Sequence, residues 1–289
     1  MLRPGERGTA AEQRANIAET LRRLAPVLRG RPLVLTHGNG PQVGNELLRQ
    51  ELAAAEAPPL PLYLAVAQTQ AEVGALLAGE LRAATGRPVA VLLTHVAVDE
   101  RDEAFEAPTK PVGPFYDEAR ARELERERGW TLREDARRGW RRVVPSPRPL
   151  EVLELETVRA ILDTKALVVA AGGGGIPVVR REGRYDGVDA VIDKDLASAL
   201  LAAALGARTL LILTQVPAVF RAFESDERRA IAELQAGRDE TILDELPAGS
   251  MRPKVEAAFA FVAATRGEAV ITSADALGDG EAGTRIVPA

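Results

Sequence analysis

Four consecutive glycines, Gly172 to Gly175, constrain this chain more than any other feature of its sequence. They come directly after a short apolar run, Val168 to Ala171, which is typical of the end of a buried strand. Because glycine loses more backbone entropy on folding than other residues, four of them in a row need a reason. The usual reason is that backbone N–H groups must approach a ligand closely, most often a phosphate. A plain glycine-rich turn is the alternative, and glycines alone do not exclude it.

A cation between two carboxylates, Asp193-Lys194-Asp195, stands at the start of an Ala/Leu-rich helix. The pattern suits phosphoryl transfer, because lysine supplies a compact charge and a neighbouring Asp can orient it or hold a metal ion. A charged helix cap is the alternative. Only four of the 37 basic residues are lysines, which favours special positions for them. Lys165 is expected at the surface, and the three in glycine- or proline-marked motifs are Lys110, Lys194 and Lys254.

The composition bounds the class of protein. The chain has 289 residues, of which 46% are hydrophobic and 27% charged, enough for one large α/β domain or two lobes. The net charge of −5 argues against a nucleic-acid partner. Cysteine is absent and only two histidines occur, which disfavours thiolate chemistry and structural zinc. No apolar run is long enough for a membrane span and no secretory signal is visible, so we expect a cytoplasmic protein.

Strands alternate with helices along the chain, which predicts a mostly parallel sheet with helices on both faces. The segment 88–98 lacks apolar–polar alternation and is predicted to form one long central strand. A hairpin is predicted around Gly183. Predicted helices cover 9–29, 41–55, 65–84, 150–163, 194–206 and 251–265, and further strands cover 33–35, 166–171, 209–214, 269–272 and 283–287.

Residues 99–149 differ from the rest in being rich in proline and charge and in holding both tryptophans. This composition predicts an inserted subdomain or lid, with Lys110 in a rigid proline turn. The run 118–130 predicts a solvated helix with ion pairs between successive turns. A polyanion-binding stripe is the alternative for that run.

The segment Thr36 to Gln42 has a second glycine turn, placed between a strand and a helix that begins near Pro41. Strand, Gly-x-Gly and helix is the layout of an anion site at a helix N-terminus. Phosphate contact and a plain tight turn both stay open for Gly38 to Gly40. For His37 alone, we expect a packed histidine at a strand end.

Seven segments, taken in order, resemble the carbamate kinases of the amino acid kinase family. The resemblance spans about Gly8 to Thr284, and seven motifs in order are far more specific than one glycine loop. DKD and GSMRPK mark the wider family, while the lid motifs point to the carbamate kinases. The segments are THGNGPQVGN, APTKPVGPF, RRVVPSPRP, GGGGIPV, AVIDKD, ILT and GSMRPKV.

The resemblance implies a three-layer α/β/α sandwich with a mostly parallel central sheet and an inserted lid, 99–149. A carbamoyl phosphate lobe would cover 1–206 and a nucleotide lobe 207–289. The implied reaction is reversible transfer between carbamoyl phosphate and ADP, giving ATP and carbamate, in a homodimer that serves arginine metabolism. Mg²⁺ is implied as a cofactor held mainly by nucleotide phosphates and water, with no metal site made by protein residues.

The resemblance also assigns roles to single residues. Lys194 and Lys254 would neutralise the transferring phosphoryl group, Asp195 would hold both lysines, and Lys110 would reach in from the lid. In-line transfer of this kind needs positioning and charge but no protein nucleophile. Substrate contacts would come from Gly38, Asn39, Gly40, Gln42, Gly172, Gly173, Gly174 and Gly175, and nucleotide contacts from Thr214, Met251, Pro253 and Lys254.

The front of the chain departs from the family pattern. Family members begin with a strand that ends in a Gly-Gly-Asn-Ala loop on the phosphates, and Met1 to Gly5 of this chain correspond to the segment after that loop. A misplaced start is the favoured interpretation, and a truncated variant is the alternative. For the chain as given, two strands would lose their neighbour, so we expect poor stability and little or no kinase activity.

Smaller departures from the family pattern occur further along the chain. His95 stands where Gln is expected, Arg137 where Gly is expected, and Gln215 with the segment 220–226 departs near the nucleotide pocket.

Other functions stay open beside that of a carbamate kinase. One alternative is another kinase of the family, acting on an amino acid carboxylate or a phosphonate. A second is an impaired or non-catalytic homologue that binds nucleotide or carbamoyl phosphate. A dinucleotide oxidoreductase is disfavoured, because the glycines do not match G-x-G-x-x-G.

Overall fold

The structure is a computed structural model that describes residues 5–28, 30–134, 139–223, 227–247, 249–278 and 283–289. Arg137 and part of the segment 220–226 lie outside the described residues. Short 3₁₀ turns cover Glu103–Phe105, Gly172–Gly174 and Glu240–Glu245. The α-helices are α1 Ala10–Arg23, α2 Ala25–Leu28, α3 Gly40–Leu52, α4 Leu62–Thr85, α5 Glu118–Arg128, α6 Leu155–Asp163, α7 Lys194–Ala204, α8 Met251–Thr265 and α9 Ala274–Gly278.

Within the described ranges, the strands form three larger sheets outside the lid, a lid sheet and one further pair. They are β1 Val34–Leu35, β2 Val89–Val91, β3 His95–Val98, β4 Lys110–Tyr116, β5 Thr131–Glu134, β6 Trp140–Val144, β7 Pro149–Val152, β8 Leu167–Val169, β9 Ile176–Arg181, β10 Arg184–Gly187, β11 Thr209–Thr214, β12 Val219–Arg221, β13 Arg229–Ile231, β14 Glu233–Ala236, β15 Glu268–Ser273 and β16 Thr284–Pro288.

Most strand pairs in the first and third sheets are parallel, which confirms the predicted α/β class. The first sheet has the order β1-β8-β2 and is wholly parallel. The second, β10-β9-β3-β7, joins β3 to β9 in parallel and contains the predicted hairpin of β9 and β10. The third, β11-β15-β16-β14, contains only residues after 207 and has two parallel pairs. The family pattern also led us to expect that a strand ahead of α1 is absent from this chain, and that expectation stays a prediction.

Strand β8 shows why helices cover both faces of the first sheet. Successive side chains of a strand point to opposite faces. Leu167 and Val169 pack in the cluster that contains Leu21 of α1 and Leu81 of α4. Val168 packs in the other cluster, with residues of α6 and α7. All three strand residues are at most 1% exposed, so the sheet is buried on both faces and the three layers are confirmed.

The predicted long strand 88–98 is wrong, because the chain forms β2 and β3 in two different sheets. Strand β2 lies at the edge of the first sheet rather than at its centre. The change of sheet occurs at Thr94, whose backbone binds the side chain of Gln70 in α4. A side chain distant in sequence therefore holds the residue at the change of sheet, and hydrophobic patterning carries no sign of it.

Two predicted helices also have different bounds in the structure. The predicted helix 150–163 is wrong at its start, because β7 occupies Pro149–Val152 and pairs antiparallel with β3. Helix α6 begins only at Leu155. The predicted helix 9–29 is divided at Leu24 into α1 and α2. Pro26 accounts for the division, since proline lacks an N–H and is tolerated only in the first turn of a helix, here that of α2.

The lid contains the antiparallel sheet β4-β6-β5 and helix α5. Helix α5 is highly charged, and Arg122 pairs with both Glu118 and Glu125 on successive turns. Its Leu124 is fully buried against the lid sheet. The predicted solvated helix with ion pairs is confirmed. In the portion of the chain that the structure describes, no helix has the length and apolar character to cross a membrane.

Candidate active site

Helix α7 begins with a side-chain cap that fixes the positions of the residues after it. Oδ1 of Asp193 accepts the backbone N–H of Asp195 at 2.9 Å and that of Leu196 at 3.5 Å. Such a cap satisfies backbone donors that have no partner in the first turn of a helix. The side chains of Lys194 and Asp195 therefore leave α7 from a fixed first turn.

Asp195 joins two lysines that are far apart in sequence. Its Oδ1 accepts Lys194 Nζ at 2.5 Å, and its Oδ2 accepts Lys254 Nζ at 3.0 Å. Lys254 comes from the first turns of α8 and also donates to the carbonyl of Ser250 at 3.3 Å. The carboxylate of Asp195 is only 7% exposed, against 35% for the side chain of Lys194. The structure thus brings together the two lysines and the aspartate that the sequence singled out.

Lys110 of the lid reaches the same helix end through Asp193. Its Nζ lies 2.9 Å from Asp193 Oδ2, the oxygen that does not cap α7. Burial alone would raise the pKa of Asp193, but the charge and hydrogen bond of Lys110 and the two backbone donors outweigh it and lower that pKa. Three ammonium groups therefore meet two carboxylates, which leaves one unit of positive charge for an anion.

Asp193 was not assigned a role of its own from the sequence, and its two contacts can be separated by mutation. We expect Asp193→Asn to keep the cap, because Asn caps helices as well as Asp, and to lose the ionic partner of Lys110. Because Lys110 is 36% exposed, the coupling between the two side chains should be only about 0.5–1 kcal/mol.

Urea unfolding of Asp193→Asn, Lys110→Met and the double variant measures this coupling. Additive losses of unfolding free energy in the double variant would show that the contact contributes nothing to stability. A large loss in Asp193→Asn alone would instead show that asparagine does not replace the cap.

Two glycines of the run 172–175 are required by packing against the loop 37–40. A Cβ on Gly172 would lie 2.3 Å from Nε2 of His37, and one on Gly173 would lie 2.2 Å from Nδ2 of Asn39. The N–H of Gly173 donates to the carbonyl of His37 at 2.7 Å. The two predicted phosphate loops therefore lie face to face. Their close packing is a reason for glycine in addition to the ligand contact predicted from the sequence.

The remaining two glycines bring the loop against other elements. A Cβ on Gly174 would lie 2.3 Å from the carbonyl oxygen of Ile192, which directly precedes Asp193. A Cβ on Gly175 would lie 2.2 Å from Cγ2 of Val96 in β3. Both residues have positive φ, at +96° and +93°. The glycine run is thus in direct contact with the segment that carries Lys194.

The loop 37–40 also contacts Lys194 directly. A Cβ on Gly38 would lie 3.5 Å from Cδ of Lys194, so the lysine stem passes over this glycine. Helix α3 begins at Gly40, with Pro41 in its first turn. A helix N-terminus, two glycine loops and the lysine cluster therefore surround one place, as an anion site requires.

Three polar residues that the sequence did not assign hold these loops. Asn39 Nδ2 donates to Thr69 Oγ1 at 2.9 Å. The side chain of Gln70 exchanges two hydrogen bonds with the backbone of Thr94, at 2.9 and 3.2 Å. Thr94 Oγ1 in turn accepts the N–H of Ala171 at 2.9 Å. In the sequence, Thr69 and Gln70 are adjacent polar residues on the otherwise apolar, buried face of α4. That pattern is the feature from which their role could have been predicted.

Four other assigned residues make contacts that do not show a ligand role. Gln42 is 3% exposed, and its Nε2 donates to Oε1 of Gln13 in α1 at 2.7 Å. Thr214 ends β11 beside Ser273, and Met251 packs on the C-terminal core. Pro253 occupies the first turn of α8, next to Lys254. The contacts predicted for Gln42 with substrate, and for Thr214, Met251 and Pro253 with nucleotide, stay predictions.

His37 is a packed residue at a strand end, as expected. It is 8% exposed, and its Nδ1 lies 3.1 Å from the carbonyl of Gly38. Burial lowers its pKa, the contact with the Gly38 carbonyl opposes that, and the charge of Lys194 lowers it further. The ring is therefore neutral at pH 7 and fills the space beside Gly172.

His95 forms a partly exposed pair with Glu154, and this pair gives a pH prediction. The hydrogen bond with Glu154, 2.7 Å from Nδ1, raises the pKa of His95 against the effect of burial. Because the folded-state pKa is raised, the pair stabilises below the unfolded value near 6.5 and is lost as pH rises through the folded value. Its contribution is below about 1 kcal/mol, since the His95 side chain is 42% exposed.

We expect His95→Gln to remove this pH-dependent part of the stability. The gap in unfolding free energy between wild type and variant should be larger at about pH 5.5 than at about pH 8.5, as measured by urea unfolding. The backbone N–H of His95 keeps its bond to Glu154 in both proteins. An equal gap at the two pH values would contradict the assignment.

Comparison with known proteins places the chain in a family. A sequence model of the amino acid kinase family matches residues 6–273. The chain belongs to the amino acid kinase family, and its α/β sandwich is the fold of that family.

Within the family, several relatives of about 40% identity are carbamate kinases. The carbamate kinase of Halobacterium salinarum is 43% identical over 300 residues, with 100% of this chain and 95% of the relative covered. That of Pyrococcus horikoshii is 39% identical over 298 residues, covering 98% and 95%. A structure of carbamate kinase from Giardia lamblia bound to AMP-PNP has a TM-score of 0.91 at 38% identity, covering 100% of this chain and 95% of that one. The resemblance stated from the sequence motifs is confirmed.

Proposed function

We propose that the protein is a carbamate kinase, which transfers a phosphoryl group reversibly between carbamoyl phosphate and ADP to give ATP and carbamate. One observation carries the proposal: Asp195 holds Lys194 and Lys254 beside two glycine loops. Relatives of about 40% identity over nearly the whole chain support the same reaction. They do not favour another kinase of the family or an impaired or non-catalytic homologue, so the low activity expected from the front of the chain is not part of this proposal.

The charges of the cluster suit the transfer step. A transferring phosphoryl group spreads negative charge over its oxygens while the attacking and leaving oxygens lie in line. Lys194 and Lys254 would neutralise that charge, and their shared carboxylate keeps the two ammonium groups in place. Lys110 would add a third charge from the lid when it exchanges Asp193 for the substrate. No protein nucleophile is needed, in agreement with the absence of cysteine.

The substrates are assigned to the two sides of the cluster. Gly38 to Gly40 and Gly172 to Gly175 would contact the phosphoryl and carbamate groups. Nucleotide would lie beside Thr214, Met251 and Pro253, which are on elements beyond residue 207. This division corresponds to a carbamoyl phosphate lobe at 1–206, including the lid 99–149, and a nucleotide lobe at 207–289. The structural neighbour bound to AMP-PNP supports nucleotide as a substrate.

Mg²⁺ would enter with the nucleotide. Among the described residues, no group of three or more His, Cys, Asp or Glu side chains could hold a metal ion. Asp193 and Asp195 are both occupied by lysines. The residues present therefore do not fit a protein-bound ion, and we assign Mg²⁺ to nucleotide phosphates and water.

A homodimer, a cytoplasmic location and a place in arginine metabolism complete the proposal, and these rest on the sequence alone.

The proposal is tested by ATP formation from carbamoyl phosphate, ADP and Mg²⁺, with acetyl phosphate as a comparison donor. We expect ATP to form with carbamoyl phosphate and to form far more slowly with acetyl phosphate. A thermal shift with ADP, measured beside turnover, separates an enzyme from a binding protein. ADP binding without any ATP formation would contradict the proposal, and so would a preference for acetyl phosphate.

A further inference from the structure

A crevice of about 570 Å³ lies where the lid meets the body of the protein, apart from the candidate active site. Its lid wall is made by β4, β6 and the end of α5, and its other wall by α3 and the loop that precedes α4. Neither Asp195 nor any lysine of the active-site cluster lines it. Apolar side chains form much of the wall, among them Leu47, Leu60, Leu62 and Val112.

Two arginines of the lid line this crevice without an ionic partner among the described residues. The guanidinium groups of Arg128 and Arg142 lie 4.9 and 4.5 Å from the ring centre of Trp130. Stacking on an indole restrains a guanidinium and leaves its N–H donors free to bind an anion. Within the described ranges, neither arginine forms an ion pair with a carboxylate.

Arg142 is a charge largely removed from water. Burial lowers its pKa, the charge of Asp189 opposes this, and repulsion by Arg128 adds to the lowering. Arginine nevertheless stays protonated in proteins. A guanidinium in this position is costly unless an anion accompanies it. The environment of Arg142 therefore favours an anionic ligand.

The two carboxylates of the crevice already have partners. Glu51 accepts the hydroxyl of Tyr116 at 2.7 Å and Arg120 at 3.3 Å. Asp189 accepts the backbone N–H of Leu62 at 2.8 Å. Glu51 and Asp189 balance the formal charges of the two arginines in the crevice lining, but neither carboxylate forms an ion pair with Arg128 or Arg142. The guanidinium N–H donors of both arginines therefore have no carboxylate partner among the described residues.

We propose that this crevice binds a small carboxylate with an apolar body. The carboxylate is held by the guanidinium groups of Arg128 and Arg142, which can each donate two parallel hydrogen bonds. The apolar body lies against the leucine side chains on the opposite wall. Such a ligand touches both the lid and the body of the protein, and the proposed phosphoryl transfer does not require it.

The test uses benzoate as the probe and benzamide as its uncharged counterpart. Both tryptophans are in the lid and Trp130 lines the crevice, so intrinsic fluorescence reports on binding. We expect benzoate to bind wild type and Lys194→Met with the same affinity. Binding should be weaker by about tenfold or more in Arg142→Met, since loss of a charge-assisted pair is worth at least about 1.4 kcal/mol. Benzamide should not bind.

A second variant keeps the test independent of the buried arginine. Leu60 is 41% exposed, so Leu60→Asp should fold normally while placing a repelling charge in the crevice, and it should weaken benzoate binding as well. Unchanged affinity in Arg142→Met and Leu60→Asp would overturn the proposal. So would loss of binding in Lys194→Met, which would place the benzoate in the active site, or equal binding of benzamide, or no binding by wild type.

Discussion

Replacing Asp195 by asparagine is expected to slow ATP formation by roughly 10²–10³-fold, the scale found when one preorganised electrostatic group is removed from an active site. Asn keeps the shape of the side chain but removes the charge that holds Lys194 and Lys254. Both ammonium groups lie within 3.0 Å of the carboxylate, so without it they repel each other. The loss should appear mainly in kcat, because the lysine geometry matters most when charge develops on the phosphoryl group.

The measurement is the initial rate of ATP formation from carbamoyl phosphate and ADP across a range of both substrates. Asp163→Asn is the matched control, since Asp163 is exposed at the end of α6 and makes the same change of charge. Circular dichroism shows whether the Asp195 variant is folded. A folded Asp195→Asn protein with the activity of Asp163→Asn would mean that the carboxylate does not organise the lysines.

Gly174→Ala should disrupt both stability and activity. Its φ is +96°, a region that strains any L-residue, and a Cβ there would lie 2.3 Å from the carbonyl oxygen of Ile192. The clash is with backbone, which cannot move aside as a flexible side chain can. Strain and overpacking together should cost roughly 3 kcal/mol or more of unfolding free energy. The clash is relieved only if Ile192 shifts. Such a shift would displace the cap of α7 together with Lys194.

Two further glycines separate these effects in the same urea unfolding experiment. Gly183 has φ +82° but open space around it, so Gly183→Ala should show backbone strain alone, about 1 kcal/mol. Gly79 lies on the exposed side of α4 with open space and without positive φ, so Gly79→Ala should stabilise by about 0.5–1 kcal/mol. A Gly174→Ala protein no less stable than Gly183→Ala would show that close contact with Ile192 is not required.

The parts of the fold that obey local rules could be predicted from the sequence. Strand β11 and helix α8 were predicted with the bounds that the structure has, because an uninterrupted apolar run and a first-turn proline define them locally. The convergence of Lys194 and Lys254 was also predicted, although it joins distant segments. That prediction depended on the scarcity of lysine in the chain and on the resemblance to a family.

Contacts between distant polar side chains could not be predicted. Residues 88–98 have the composition of one strand, but Thr94, bonded to the distant Gln70, stands where they divide between two sheets. Asp193 has the sequence context of a helix cap, and nothing near it in sequence shows that its second oxygen binds Lys110 of the lid. The glycine run suggested ligand contact alone, because the packing of Gly172 against His37 depends on how two loops meet.

The central claim is that the ammonium groups of Lys194 and Lys254 act on one phosphoryl group. The most direct test compares ATP formation in Lys194→Met, Lys254→Met and the double variant with that in Lys165→Met, the exposed lysine outside the site. We predict that each active-site variant loses roughly 10²-fold or more and that the losses are not additive in the double variant, because the residues act together. Lys165→Met should match wild type. Active-site variants that form ATP as fast as Lys165→Met would contradict the claim.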